Sequence, residues 1–363
     1  MTTVHLVYPH RPVISCPDAI GRKLGERLQR HYEVRYHDWD EPYLIRPQPG
    51  DVLLGHAHPV PFTCFRRSMA QPGWRRVLLM QPYHHGDRWQ VSYLETIVHR
   101  VDLFLAITGN YWFSRIPHSR YAHWLPKMVH LDLAVDRDDF PPLKTTVNPP
   151  GQRRFVYIGH SRWTKNPGYL SQIAAAAPGI PLAWIGSGAR AIPGLQQLGF
   201  QDFSSLEGRH LVAQHDFMVT VGRADANPTT VLEAMAWGLI PVCTPQSGYV
   251  GYPGIVNVPL DDAAAAAEVL QHLQVTPEDE LRAMQVLNWH LLDTHFNWDR
   301  MARQVVQAIE DARSPSCARI SSVHDLTLRW LAALSPSSPY RPANTVRWLG
   351  SILKRRLRRR FEQ

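Results

Sequence analysis

The chain has 363 residues, 44% of them hydrophobic and 19% charged, with a formal charge of +8. That length supports two cores of ordinary size, and without a run of 18 apolar residues no membrane-spanning helix is expected. The excess charge is local: from Arg341 to Gln363 there are eight Lys or Arg against Glu362 alone, so the first 340 residues carry about +1 and a body-wide nucleic-acid surface is excluded.

Cys16, Cys64, Cys243 and Cys317 stand far apart, form no CxxC pair and imply no disulfide framework. Met-Thr-Thr-Val-His-Leu-Val-Tyr lacks the basic-then-apolar pattern of a signal peptide, which makes the cytoplasm the expected compartment. Val4–Tyr8 reads as a first strand, 18–31 as a helix with Ile20, Leu24 and Leu28 on one face, and Tyr32–Tyr36 as a second strand. Asp51–Leu54, Trp74–Met80 and Asp102–Ile107 read as further strands. Strands alternating with crossovers predict an α/β fold with a parallel sheet covered on both faces.

Ligands of such sheets bind beyond the carboxyl ends of the strands. Four loops in the first half qualify: Pro9–Pro17, Gly55-His-Ala-His58, Gln81–Gly86 and Asn110–Phe113 with Ser114 and Arg115. His56 and His58 alternate as metal ligands sometimes do, but no third ligand lies nearby in sequence, so no metal is assigned there. Asp136-Arg-Asp138 spells a metal–diphosphate signature, yet it borders a linker and is likewise assigned no metal. The proline-rich stretch 141–153 separates residues 1–140 from a second block, 154–312.

That block restarts with the strand Arg154–Gly159, followed by a helix near 171–177 and the strand Pro181–Ile185, which ends in Gly186-Ser-Gly188. A helix over 206–214, the strand Asp216–Thr220, a short strand at Ile255–Val258 and an Ala-rich helix come next. Thr276-Pro-Glu-Asp279 reads as a capped helix start, and 298–311 as a helix with Met301, Val305 and Ile309 inward. The most informative stretch lies between them: Asp225-Ala-Asn-Pro-Thr-Thr-Val-Leu-Glu233, then Ala234–Gly238 and the apolar Leu239–Val242. Asn227 and Pro228 form a turn, Thr229 or Thr230 is expected to cap the helix, and Gly238 to end it. Such a helix start seats a phosphate, and Glu233, about one turn inside, reaches a sugar diol beside it. The same residues also suit a plain loop, buried helix and strand with Glu233 solvated or ion-paired.

This stretch resembles the donor-binding loop and helix of retaining glycosyltransferases of the GT-B fold, in the GT4-like group. Asp225 and Glu233 keep the spacing of that group's acidic–seven–Glu motif, with Asp where Glu is usual. The resemblance implies two Rossmann-like domains facing across a cleft, the first on the acceptor side. It also implies transfer from a UDP- or GDP-sugar, needing no metal or cofactor, to a glycan, lipid-linked or small-molecule acceptor. Gly159-His-Ser-Arg162-Trp-Thr-Lys165 is similar to the family's Gly-Arg-x4-Lys element, with His160 in the Arg position and Arg162 expected to supply the charge. By this reading Lys165, Arg162 and the Thr229–Thr230 helix start stabilise the departing diphosphate, beside Gly159 and Gly186. Glu233 holds the ribose, Asp225 the sugar hydroxyls with the backbone of Ala226 and Asn227, and His84 faces the donor sugar, with His85 as its rival. Asp136 and Phe140 match the family's passage into the linker. Two other readings stay open: a degenerate GT-B protein that binds a glycan or partner, and a phosphorylase or synthase acting on a sugar phosphate.

The last segment, 313–363, ends in an amphipathic basic stretch. It fits either a helix on an anionic membrane surface, making the protein peripheral to the membrane, or a helix packed back on the first domain.

Overall fold

The structure, a computed structural model, describes residues 2–9, 16–59, 62–86, 91–188, 190–311 and 350. The basic tail expected to touch membrane therefore lies outside the described residues, apart from position 350. No helix among the described residues is long and apolar enough to cross a membrane. The described residues divide into two compact units, one drawn from 1–106, 117–131 and 302–311, the other from 107–116 and 132–301.

The first unit is built on β1 (Thr3–Val7), β2 (Glu33–His37), β3 (Val52–Gly55), β4 (Arg76–Pro82), β5 (Leu103–Ile107) and β6 (Met128–Leu131). They lie in the order β2-β1-β3-β4-β5-β6, and β1 pairs in parallel with both β2 and β3, as β3 does with β4. β1, β3 and β5 are buried along their whole length, as expected of strands covered on both faces. Between β1 and β2 the chain is helical from Cys16–Ala19 through a π turn at Ile20–Leu24 to Gly25–Leu28, with Ile20, Leu24 and Leu28 buried at the expected period. β6 went unread in the sequence because only four residues pair and their alternation is weak. The helix Trp298–Glu310 buries Met301, Val305 and Ile309, and its last residue, Glu310, accepts from Tyr32 at 2.9 Å and Arg75 at 2.5 Å.

The second unit holds β7 (Phe155–Ile158), β8 (Leu182–Ile185), β9 (Gln196–Gln197), β10 (Phe217–Thr220), β11 (Ile240–Cys243) and β12 (Val256–Asn257). The order is β12-β11-β10-β7-β8-β9, with every neighbouring pair parallel. Counted from β7, this is the doubly wound 3-2-1-4-5-6 order of a Rossmann sheet. Phe155 and Phe217 stack at 4.6 Å in its core, under Leu170, Ile173, Val242, Ala266 and Leu270. The helix Ala263–Val275 starts at Asp262, whose carboxylate accepts from Ala265 N at 2.9 Å. The cap expected from Thr276 does not form: its hydroxyl donates back to His272 O at 2.9 Å, and the helix Glu278–Thr294 begins after Pro277 with no side-chain cap.

Candidate functional site

In a 3-2-1-4-5-6 sheet, crossovers from the first and fourth strands leave in opposite directions and open a crevice at their carboxyl ends. In the second unit these strands are β7 and β10. The loop after β7 carries Gly159, Arg162 and Lys165; the loop after β10 carries Asp225, Ala226 and Asn227, and leads into the helix Thr229–Trp237. Residues 60 apart in sequence thus meet, and Lys165 Nζ forms an ion pair and hydrogen bond with Asp225 Oδ2. Both side chains are partly exposed. A pair in that setting contributes at most about 1 kcal/mol, so a phosphate dianion can take the ammonium from the carboxylate at little cost.

The loops after β7 and β8 press against each other. Gly159 N–H donates to Ile185 O at 3.0 Å, Trp184 Nε1–H donates to Gly159 O at 2.8 Å, and Ser161 N–H donates to Ser187 O at 3.3 Å. A Cβ on Gly186 would stand 2.0 Å from Gly159 O, so the approach requires glycine. Gly159 and Gly186 are brought together. Arg162 sits just before the 3-10 turn Trp163–Lys165 with its side chain exposed, and His160 lies within 3.4 Å of Ser187 Oγ. Arg223, the other cation near the motif, faces Asp261 at 3.5 Å.

The helix Thr229–Trp237 departs from expectation at its start. Its N-cap is Pro228, in an extended conformation, and no side chain caps it. Proline takes that position because its fixed φ suits the turn, and it leaves Thr229 and Thr230, both partly exposed, in the first turn itself. The leading N–H groups of a helix have no intrahelical acceptor, and here no side chain caps them. The Thr229 hydroxyl bonds Glu233 one turn on. Burial pushes the Glu233 carboxyl up to about 7, against the opposing pull of that hydroxyl. Gly238 ends the helix in a left-handed conformation, as expected.

The Asn227 side chain fastens the loop. The residue is buried at φ 63°, and its Oδ1 accepts from Leu133 N at 2.5 Å. Several residues that hold this loop were unread in the sequence. Trp112 Nε1–H is shared by Asp225 O and Gln246 O, both at 3.0 Å, Thr244 Oγ1 donates to Gly222 O at 2.9 Å, and Tyr249 OH donates to Pro228 O at 3.0 Å. Trp112 lies 113 residues before Asp225, and an aromatic in an apolar-looking loop gives no local sign of such a partner. Replacing Trp112 by Phe keeps an aromatic ring but removes the donor shared by these part-buried carbonyls, leaving Gln246 O only the Asp225 N–H. An expected loss of about 1–3 kcal/mol in stability, with weaker donor binding, is checked by denaturant unfolding and a donor titration.

His84 follows β4 in the first unit and is buried, whereas His85 is half-buried beside Tyr83, with ring centroids 6.1 Å apart. Among the described residues no group of three or more His, Cys, Asp or Glu is placed to hold a metal ion.

No protein-family model matches the chain, and no curated protein matches it in sequence. Solved structures do. A glycosyltransferase from Rickettsia africae aligns with a TM-score of 0.56 at 12% identity, over 86% of this chain and 99% of that one. A trehalose-6-phosphate structure from E. coli bound with UDP-2-fluoro glucose aligns with a TM-score of 0.63 at 9% identity, over 87% and 100%. The fold is GT-B. A sucrose-phosphate synthase from Thermosynechococcus elongatus, at 14% identity and a TM-score of 0.59 over 85% and 98%, shares it too. The two parallel sheets are thus the two Rossmann-like sheets of the GT-B fold.

Proposed function

We propose that this GT-B protein is a retaining glycosyltransferase that takes its sugar from a nucleoside-diphosphate donor held by the second unit. The reading rests on one observation: at the β7/β10 switch point, Lys165–Asp225, an N-terminus without a side-chain cap and Glu233 converge within two loops and one helix turn. The diphosphate takes Lys165 and the N–H groups at Thr229 and Thr230, which together oppose the charge that grows as the sugar departs. This supplies without a divalent ion the stabilisation that other folds draw from one. Arg162 adds a second cation through its exposed loop, and Gly159 and Gly186 give the backbone room to approach. Asp225, released from Lys165, accepts hydrogen bonds from sugar hydroxyls beside Ala226 and Asn227, and Glu233 accepts from the ribose diol. UDP is the nucleotide favoured, because a structure sharing this fold is described with UDP-2-fluoro glucose.

Thermal stabilisation by UDP-, GDP-, ADP- and TDP-sugars, with and without divalent metal, tests the reading. One nucleotide class is expected to stabilise the protein, and Glu233→Ala to remove the effect. The pH dependence has a defined sign. A carboxyl raised to about 7 is largely protonated at pH 6, and a diol is best bound by the carboxylate. Affinity for a UDP-sugar, whose phosphates do not titrate in this range, therefore rises from pH 6 to 7 and levels above 8. In Glu233→Gln it is flat. Stability of the free protein runs the other way, full below the unfolded carboxyl's value near 4.5 and declining as pH rises through 7. Absence of stabilisation by every donor on folded protein overturns the donor site.

A further inference from the structure

The first unit has its own switch point. In the order β2-β1-β3, the carboxyl ends of β1 and β3 are where crossovers diverge, and chemistry-bearing residues gather there. Tyr8 follows β1, Trp39 follows β2, and His56 and His58 follow β3. Their rings form one cluster. Trp39 stacks on Tyr8 with centroids 6.3 Å apart, meets His56 nearly at right angles at 4.4 Å, and meets His58 in the same manner at 5.6 Å. Tyr8 is buried and anchored by its hydroxyl to Met80 O at 2.7 Å, so the indole rests on a fixed base while remaining partly exposed itself. His56 N–H donates to Val7 O at 3.0 Å, locking the start of that loop to β1.

His56 carries the second observation. It is 9% exposed, and its Nδ1 is buried with no hydrogen-bond partner among the described residues. A buried imidazole nitrogen without a partner is costly, and a core histidine ordinarily finds one. Burial, reinforced by the neighbouring His58, pulls its pKa down to about 3, so the ring is uncharged at neutral pH. Metal ligation does not explain the pair, because among the described residues no third His, Cys, Asp or Glu completes a ligating group. Arg66, in the helix Cys64–Ser68 that follows, donates to Pro59 O at 2.8 Å. A partly exposed indole on a rigid base, flanked by a neutral hydrogen-bonding ring, suits a ligand with an apolar face and a rim of uncharged hydroxyls.

We propose that Trp39, His56 and His58 form a saccharide-binding site in the first unit, with Trp39 carrying the face of a neutral pyranose ring and the imidazoles meeting its hydroxyls. The proposal rests on the glycosyltransferase reading only in naming this sugar the acceptor; the site itself belongs to the first unit.

Saturation-transfer NMR on the full chain tests it, with methyl glycosides of glucose, N-acetylglucosamine, mannose and galactose, glucose 6-phosphate as a charged comparison, and UDP-glucose titrated in parallel. At least one methyl glycoside is expected to show transfer to the protons of one ring face. Trp39→Ala weakens it about tenfold, Trp39→Phe restores part of the loss, and UDP-glucose binding is unchanged in both variants. Circular dichroism and melting temperature establish that the variants are folded. The proposal is overturned if no neutral glycoside binds, if folded Trp39→Ala binds as the wild type does, or if only glucose 6-phosphate binds. Saccharide binding without any UDP-glucose binding leaves the site standing and removes the donor reading instead.

Discussion

Lys165→Ala is expected to lower kcat by about two to three orders of magnitude while leaving the melting temperature almost unchanged. The two halves of that expectation have separate physical sources. Lys165 and Asp225 are both partly exposed, and an ion pair in that setting stabilises the fold by about 1 kcal/mol at most. On the proposed function the ammonium faces a leaving diphosphate whose charge grows in the transition state, where removing one preorganised donor costs about 3–4 kcal/mol. A structural lysine would show the reverse pattern, a lower melting temperature with turnover intact. Asp225→Asn sharpens the test. It frees Lys165 but replaces the charged acceptor proposed for the sugar hydroxyls by a weaker neutral amide, so kcat falls without restoring what the lysine variant loses. The double variant is expected to lose less than the two single losses combined, because the side chains touch and share one reacting group. Full additivity would mean that the pair does not act as a unit, and turnover unchanged in Lys165→Ala would remove the diphosphate role altogether.

Much of this was legible in the sequence because it depends on local rules. The strands of the second unit stand out as short apolar runs between turns, Gly238 marks the end of its helix, and Lys165 and Asp225 each follow a strand at its carboxyl end. What failed was of two kinds. Thr229, Thr230 and Thr276 were read as caps from residue type alone. Pro228 and Pro277 take the cap positions, and the hydroxyls of Thr229 and Thr276 turn to Glu233 and His272 instead. β9 is two exposed glutamines, with no pattern for periodicity to find. The other kind is distance along the chain. Trp112 holds the Asp225–Pro228 loop because 107–116 groups with the second unit, and no local signal connects residues 113 positions apart; Tyr249 reaches the same loop from 21 positions away. Asn227 adds a role that sequence did not show: its left-handed backbone and the bond its side chain accepts from Leu133 fasten the loop.

Gly186→Ala is expected to destabilise the second unit by about 3 kcal/mol or more and to abolish donor binding with it. The obstacle is space. A Cβ there would lie 2.0 Å from Gly159 O and 2.7 Å from Trp184 Nε1, the two atoms that hydrogen-bond each other across β7 and β8. Neither can step aside: one is backbone, and the other belongs to an indole buried in the core. The chain must pull the two loops apart, losing the bonds from Trp184 to Gly159 and from Gly186 N–H to Gly199 O at 2.9 Å. Gly188 provides the contrast. A Cβ there meets Ser161 Oγ at 1.7 Å and Ser161 Cβ at 2.7 Å; the hydroxyl can rotate away, and only the Cβ contact asks for a small shift of the loop. Gly188→Ala should therefore cost about 1–2 kcal/mol, and adding Ser161→Gly, which removes both atoms, should recover most of it. Hydrogen exchange at the amides of β7 and β8 reads both effects in the unit concerned. Faster exchange is expected throughout these strands in Gly186→Ala and at few positions in Gly188→Ala. Equal protection in the two variants would show that the loops after β7 and β8 are not in contact, and the phosphate-facing glycine pair would have to be redrawn.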